Sequence, residues 1–372
     1  MRIRKYLDKL QQRQAESIFL SAQKHFVMKP GTASFKVRLA QAVAVLVLLT
    51  PVMVAILAIW LAIALYPSFG SVLFGGLFMA LAIALLPRVR KPPTKLYTAR
   101  DFPALFALLN AIAEKIGTRA PDSVALTGHL NASATEYGFR HSQRVLEIGI
   151  PLWIGMTNQE KIALLAHELA HFVNGDPARG TVLDLAFQTL SRWGYYLAPD
   201  EYEPALSLPD LILGVFRLPF SGLTATLLGL HFRASQQAEY LADAVAARVS
   251  GSAAMGSALR RLMITGLADK AVDSLYPYRT DQGRRIFDVM GASLGDLESP
   301  DAKDLIAKAE AEKARVDLPH PPSVYRLAFL EALGESEPAI LERHFDFKSI
   351  ESAFAPEADR LGKKLMQSLE VQ

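Results

Sequence analysis

Cysteine is missing from all 372 residues of the chain. That absence excludes a disulfide scaffold, a thiolate metal site and a cysteine nucleophile together. Any metal must therefore be held by histidine, aspartate or glutamate. A surplus of one charge is also missing, since 40 basic residues stand against 37 acidic ones for a net charge of +3. Such a balance gives no general case for a basic face, so no nucleic-acid partner is expected. Charged residues of either sign make up only 21% of the chain, while 51% is hydrophobic and the mean hydropathy is +0.19. These values exclude a disordered chain and are high for a purely soluble one. No low-complexity tract and no internal repeat of fixed period is visible.

The hydrophobicity is concentrated. From Leu39 through Pro87 there is no Asp, Glu, Lys, Arg or His. Gln41 to Tyr66 makes a helix of about 39 Å, enough to span a bilayer core of about 30 Å with some tilt. Pro51 is expected to kink it, which membrane helices tolerate. Pro67, Ser68 and Gly70 read as a turn, and Phe69 to Leu86 as a second apolar helix of about 27 Å. The expectation is a transmembrane helical hairpin. No cleaved signal peptide is expected, because the apolar run starts too late and no cleavage site follows a short apolar core. Ahead of it, Ile3, Leu7, Leu10, Ile18 and Phe19 recur at loosely helical spacing. That helix either lies on the membrane surface or packs on a soluble domain. Lys24, Lys29, Lys36 and Arg38 precede the hairpin, Arg88, Arg90, Lys91, Lys95 and Arg100 follow it, and its turn carries no charge. By the positive-inside rule both ends lie on the cytoplasmic side, and everything after residue 90 with them.

Beyond Pro92-Pro93, Asp101 to Gly117 reads as a helix with Asp101 as N-cap and Gly117 as C-cap. Ser123–Thr127, Ser133–Phe139 and Arg144–Ile150 read as three strands of a small antiparallel sheet. Further helices are expected over 234–249, 253–267, 301–315, 323–333 and 347–369. Thr157-Asn-Gln-Glu160 is a capping box opening a helix with an apolar stripe of Ile162, Leu165, Leu169 and Phe172.

That helix carries His167-Glu168-Leu169-Ala170-His171. Residues four apart lie one turn along and about 40° around a helix, so both imidazoles can reach one metal ion. Glu168 can reach a water on the open coordination position. Zinc lowers the pKa of that water, and the carboxylate takes its proton as it attacks an amide carbonyl. A hydrolytic zinc site wants a third protein ligand. Glu239, in Gln237-Ala-Glu-Tyr-Leu-Ala-Asp243, is the best candidate, and Asp243 one turn on can accept a hydrogen bond from the far nitrogen of a ligand imidazole. Taken alone, Glu239 and Asp243 would read as a solvated helix face. Beside the histidine pair they read as part of the site.

With these residues in view, the chain resembles the HtpX-like membrane-anchored zinc metallopeptidases, relatives of the CAAX prenyl proteases. The resemblance covers about Leu96 to Leu333. It rests on His167 to His171 with trailing Asn174-Gly-Asp176, on Glu239-Tyr-Leu-Ala-Asp243, and on His320-Pro-Pro with Arg326. It implies a mainly α, membrane-anchored protein with a gluzincin-like α+β catalytic domain. It also implies one zinc ion per chain on His167, His171 and Glu239, with Asn174 and Asp176 among the supporting residues. Asn131-Ala132-Ser133-Ala134 matches the stretch before the family's substrate-aligning edge strand, which here would be Arg144–Ile150. An edge strand binds extended peptide through backbone hydrogen bonds. Gly149-Ile-Pro151 departs from the family's usual ending. Three roles are open to His320: oxyanion donor, occupant of the open zinc position, or plain loop histidine. Arg326 is a candidate to orient a carboxylate or the substrate.

The expected organisation is an amphipathic segment over 1–37, the hairpin over 38–90, a zinc metallopeptidase domain over 91–335 and a helical tail over 336–372. Leu211–Leu230 is apolar but holds Arg217 and Pro219. His171 and Glu239 must share one side of the membrane to bind one ion, so the chain between them crosses zero times or twice; zero is favoured. The activity expected is zinc-dependent endopeptidase cleavage of misfolded or membrane-proximal polypeptides, in an inner or plasma membrane or its equivalent. The alternatives are a catalytically silent membrane scaffold, which has no chemical need of Glu168, and a zinc hydrolase of non-peptide substrates.

Overall fold

The computed structural model describes residues 16, 19, 20, 35–88, 92–137, 143–173, 182–196, 221–224, 227, 236–275, 283–311 and 321–370. The chain divides into two units, one built from 31–91 and 177–234, the other from 1–30, 92–176 and 235–372.

The first unit contains the apolar hairpin. Helix α1 (Phe35–Ala64) runs unbroken through Pro51. Helix α2 (Phe69–Leu85) folds back on it. The two meet along small residues. Ser71 Oγ donates to the Ala62 carbonyl at 2.6 Å, and a Cβ placed on Gly75 would sit 2.8 Å from the Ala62 Cβ. Such close approach is how helices associate where no water drives them together. The outer faces carry large apolar side chains in the open, with Trp60 61%, Ile63 72%, Phe69 80% and Val72 75% exposed. Arg38–Ala64 is long and apolar enough to cross a membrane. The expectation of two spanning helices is met only in part, because α2 has 17 residues, about 26 Å of helix against about 30 Å of bilayer core. Helix α3, Val182–Tyr196, packs Leu183, Ala186, Leu190 and Trp193 against Ala40, Ala44 and Val47 of α1. Most of Leu211–Leu230, and of the N-terminal amphipathic segment, lies outside the described residues.

The second unit starts with α4 (Pro103–Ile116), closed by Gly117 in the left-handed conformation at φ 82°. Asp101 does not cap this helix. Its carboxylate accepts from the Thr98 backbone N–H at 2.7 Å and the Thr98 hydroxyl at 3.0 Å, so it builds the preceding turn instead.

Three strands follow: β1 (Ser123–Thr127), β2 (Ala132–Tyr137) and β3 (Gln143–Gly149). Their order is β1-β3-β2, with β3 parallel to β1 and antiparallel to β2. This corrects two expectations. The sheet is mixed rather than antiparallel, and the strand at 143–149 is central rather than an edge. The reason lies in β3 itself, whose Val145, Leu146 and Ile148 are all buried, as befits a strand flanked on both sides. The edge nearest the metal-motif helix is β2. Gly149 is required where β3 ends, since a Cβ there would lie 1.9 Å from the His129 carbonyl oxygen.

After the short α5 (Ile150–Gly155) comes α6 (Asn158–Val173), which carries the two histidines. Its capping box is formed, with the Thr157 N–H donating to Glu160 Oε2 at 2.7 Å and the Glu160 N–H to Thr157 Oγ1 at 3.3 Å. Every residue from Glu160 to His171 is buried, so α6 is the axis of the unit. Helix α7 spans 236–250. The sequence from 253 breaks earlier than expected, into α8 (Ser252–Met263) and α9 (Gly266–Leu275), followed by α10 (Gly283–Gly295), α11 (Pro300–Ala311), α12 (Ser323–Leu333) and α13 (Phe347–Glu370). Phe347, Ile350, Phe354 and Ala358 of α13 join the same core as α4, the sheet and α6.

Glu160 also receives the buried Arg261 and the Ser257 hydroxyl. Glu160→Ala removes half of the capping box and strands a buried guanidinium. It is expected to cost about 3–5 kcal/mol, read as a lowered melting temperature of the detergent-solubilised protein.

Candidate metal centre

Two helices supply the site. The capping box starts α6 so that His167 and His171 face one way, one turn apart. Their Nε2 atoms stand 3.3 Å from each other. Helix α7 brings Glu239 to both, with Oε2 3.5 Å from His167 Nε2 and Oε1 3.5 Å from His171 Nε2. Zinc bonds of about 2.0–2.1 Å at tetrahedral angles put neighbouring donor atoms about 3.3 Å apart. The two imidazole nitrogens therefore have the spacing of two ligands on one tetrahedral ion, and each has its own Glu239 oxygen at 3.5 Å. A Glu168 carboxylate oxygen lies within 4.8 Å of the histidine ligand atoms.

Behind the donors lies a second layer. Asp243 Oδ1 stands 3.0 Å from His167 Nδ1. Arg326, on α12, holds that carboxylate with both forks, donating from Nε to Oδ2 at 2.8 Å and from Nη2 to Oδ1 at 2.6 Å. Its Nη1 is 3.7 Å from Glu239 Oε2. Burial opposes ionisation of Asp243, and the Arg326 guanidinium with His167 overrides it, holding the carboxyl below its usual range. Burial also opposes the charge on Arg326, which Asp243, Glu239 and Glu168 keep in place. Burial disfavours a charged His167 too, yet Asp243 and Glu239 push its pKa up to about 9.

Glu168, Glu239, Asp243 and Arg326 are all buried. Carboxylates are costly to bury without positive charge nearby, and a divalent ion is one way to supply it.

The edge strand reaches the same place. In the β2–β3 pairing the Gly149 N–H donates to the Asn131 carbonyl at 2.9 Å, so residues 133, 135 and 137 point their backbone groups into the sheet. Ala132, Ala134 and Glu136 point theirs outward. The Ala134 N–H donates to Glu168 Oε2 at 3.0 Å. Ala132 and Ser133 thus belong to the edge strand itself, and Asn131 immediately precedes it. The contact that matters at Glu168 comes from Ala134, which sequence reasoning quoted in the motif but gave no role. His320, Asn174 and Asp176 lie outside the described residues. His129 and His344 are exposed and belong to no metal cluster among the described residues.

The profile of peptidase family M48 matches residues 100–334. The chain belongs to peptidase family M48. Members of this family are metallopeptidases. A Protease HtpX of Shewanella halifaxensis is 29% identical over 204 residues, covering 51% of this chain and 70% of that protein. A Protease HtpX homolog of Neisseria meningitidis is 36% identical over 138 residues, covering 36% of this chain and 48% of the relative. A Protease HtpX of Xanthomonas euvesicatoria is 27% identical over 204 residues, covering 51% and 68%. No solved structure matches significantly. The M48 match contains α6, α7 and α12, and so every residue of the cluster just described.

A group whose pKa is raised on folding adds stability below its unfolded value and loses it as pH rises through the folded one. With chelator present, the melting temperature is expected to fall between about pH 6.5 and about pH 9, the window set by His167. His167→Gln should flatten that fall, as measured by thermal melts across the range.

Proposed function

We propose that this M48 member is a membrane-anchored zinc endopeptidase in which His167, His171 and Glu239 hold the metal. The observation that carries the reading is the buried convergence of His167 and His171, Nε2 to Nε2 at 3.3 Å, with a Glu239 oxygen 3.5 Å from each. Zinc bound there supplies Lewis acidity, which makes water a nucleophile at neutral pH and polarises a carbonyl oxygen.

The protein's own residues do the rest. Glu168 takes the proton of the attacking water and passes it to the departing amine. The Ala134 N–H on Glu168 Oε2 holds that carboxylate beside the edge strand. A polypeptide added along β2 would bond to the outward backbone groups at Ala132 and to the outward Ala134 carbonyl, bringing a peptide carbonyl next to the base. Asp243 keeps His167 in one tautomer, with Nε2 aimed at the metal and Nδ1 bearing the proton. Arg326 keeps Asp243 ionised and still.

The bilayer partner rests on the charge-free Leu39–Pro87 segment and on the bare apolar faces of α1 and α2. A hairpin with basic residues on both flanks supports a catalytic unit on the cytoplasmic side. An anchored protease that aligns substrate through backbone contacts suits misfolded or membrane-proximal polypeptides, and hence membrane-protein quality control. Retention of Glu168 in contact with the edge strand speaks against the silent-scaffold alternative.

Purified protein is expected to degrade an unfolded polypeptide, to stop with chelator and to recover with added zinc. Glu168→Gln should retain zinc and lose cleavage by at least about a hundredfold, the usual worth of a general base. Equal cleavage by wild type and Glu168→Gln would overturn the mechanism. Asp243→Asn is expected to weaken zinc binding by about 10–100-fold, read by competition with a zinc chelator.

A further inference from the structure

Gln236 opens the described part of α7 and is completely buried. Among the described residues, neither its amide nitrogen nor its amide oxygen has a hydrogen-bond partner. A primary amide offers two donors and an acceptor oxygen. Burying one with every bond unmade costs stability that an alkyl chain of the same size would not cost. An orphaned buried group of this kind needs an explanation, and a partner that arrives during function is one.

Its position says which partner. At about 100° per residue, Gln236 lies about 20° around the helix axis from Asp243 and about 60° from Glu239. It therefore extends the stripe of Glu239 and Asp243 by one turn toward the start of α7. Tyr240 shares the stripe, and its buried hydroxyl also has no partner among the described residues. The metal cluster is closed to the same degree, with His167 5%, Glu168 4%, His171 3% and Glu239 2% exposed. A polypeptide that reaches Glu168 must enter space this enclosed.

We propose that Gln236 is a substrate-binding residue whose side-chain amide pairs with the main-chain N–H and C=O of a bound polypeptide, one helical turn from Glu239. The proposal rests on the endopeptidase reading above. An amide matches the donor and acceptor of a peptide group and reads no side chain. It also adds no charge beside the buried Glu239 and Asp243.

The test uses the full-length protein in detergent, with the near-isosteric Gln236→Leu. Four quantities are compared with wild type: zinc content, melting temperature, and kcat and KM on an unfolded polypeptide. The affinity of a fluorescently labelled form of that polypeptide is measured separately for zinc-loaded Glu168→Gln and for Glu168→Gln/Gln236→Leu. Gln236→Leu is expected to keep its zinc and to melt at the same temperature or higher, because an unmade amide has been removed. It should lose about tenfold in kcat/KM, mostly through KM, and bind about tenfold more weakly in the inactive background. An unchanged KM with unchanged affinity overturns the proposal. So does a loss of zinc or a drop in melting temperature that accounts for the lost activity. A wild type that cleaves nothing sinks the endopeptidase reading instead, and the affinity arm then judges Gln236 by itself.

Discussion

The M48 unit depends on the bidentate grip of Arg326 on Asp243, which keeps a buried carboxylate ionised 3.0 Å from His167 Nδ1. Glu168 and Glu239 are buried in the same cluster. Burying carboxylates without positive charge nearby is among the most costly things a fold can do. A proton on His167 is one source of that charge, and Asp243 and Glu239 push its pKa up to about 9. A divalent cation bound as proposed above would compete for the same imidazole, and its loading would displace that proton.

That packing explains why so much of the unit is devoted to holding two helices still. Helix α6 is buried along its length from Glu160 to His171, and its first turn is tied by Thr157, Arg261 and Ser257 through Glu160. Helix α7 is tied from its far side, where Arg326 grips Asp243. The Glu160 clamp lies at the start of α6, away from the histidines, while the Arg326 clamp reaches His167 through Asp243, 3.0 Å from its Nδ1, and each sets where its helix lies. A shift between α6 and α7 would change the 3.5 Å separations of Glu239 from His167 and His171. Stability and chemistry here draw on the same contacts.

Local signals in the sequence were legible because their physics is local. The capping box at Thr157 and the left-handed stop at Gly117 need only neighbouring residues and appear as read, while the charge-free run at 39–87 gives two helices of which one is long and apolar enough to span. The histidine pair is of the same kind, since its geometry is that of one helix. What could not be read depends on contacts far apart in the chain. Strand order is one case. The resemblance puts Arg144–Ile150 at the edge, whereas packing of Val145, Leu146 and Ile148 puts β3 in the middle. Asp101 is another, because Thr98 offered its backbone a nearer partner than the helix did. The grip of Arg326 on Asp243 joins residues 83 apart, a pairing that no spacing rule anticipates.

Chain connectivity adds a constraint that neither unit shows by itself. The two histidines end one visit to the catalytic unit and Glu239 begins the next, while residues 177–234 belong to the unit of the apolar hairpin. Bringing Glu239 back to His171 closes a loop whose entropic cost grows with the logarithm of its length. Packing Leu183, Ala186, Leu190 and Trp193 onto α1 orders 182–196, part of that stretch. Residues already ordered need not be ordered again, so the α1–α3 contact lowers the entropic cost of bringing Glu239 beside the two histidines.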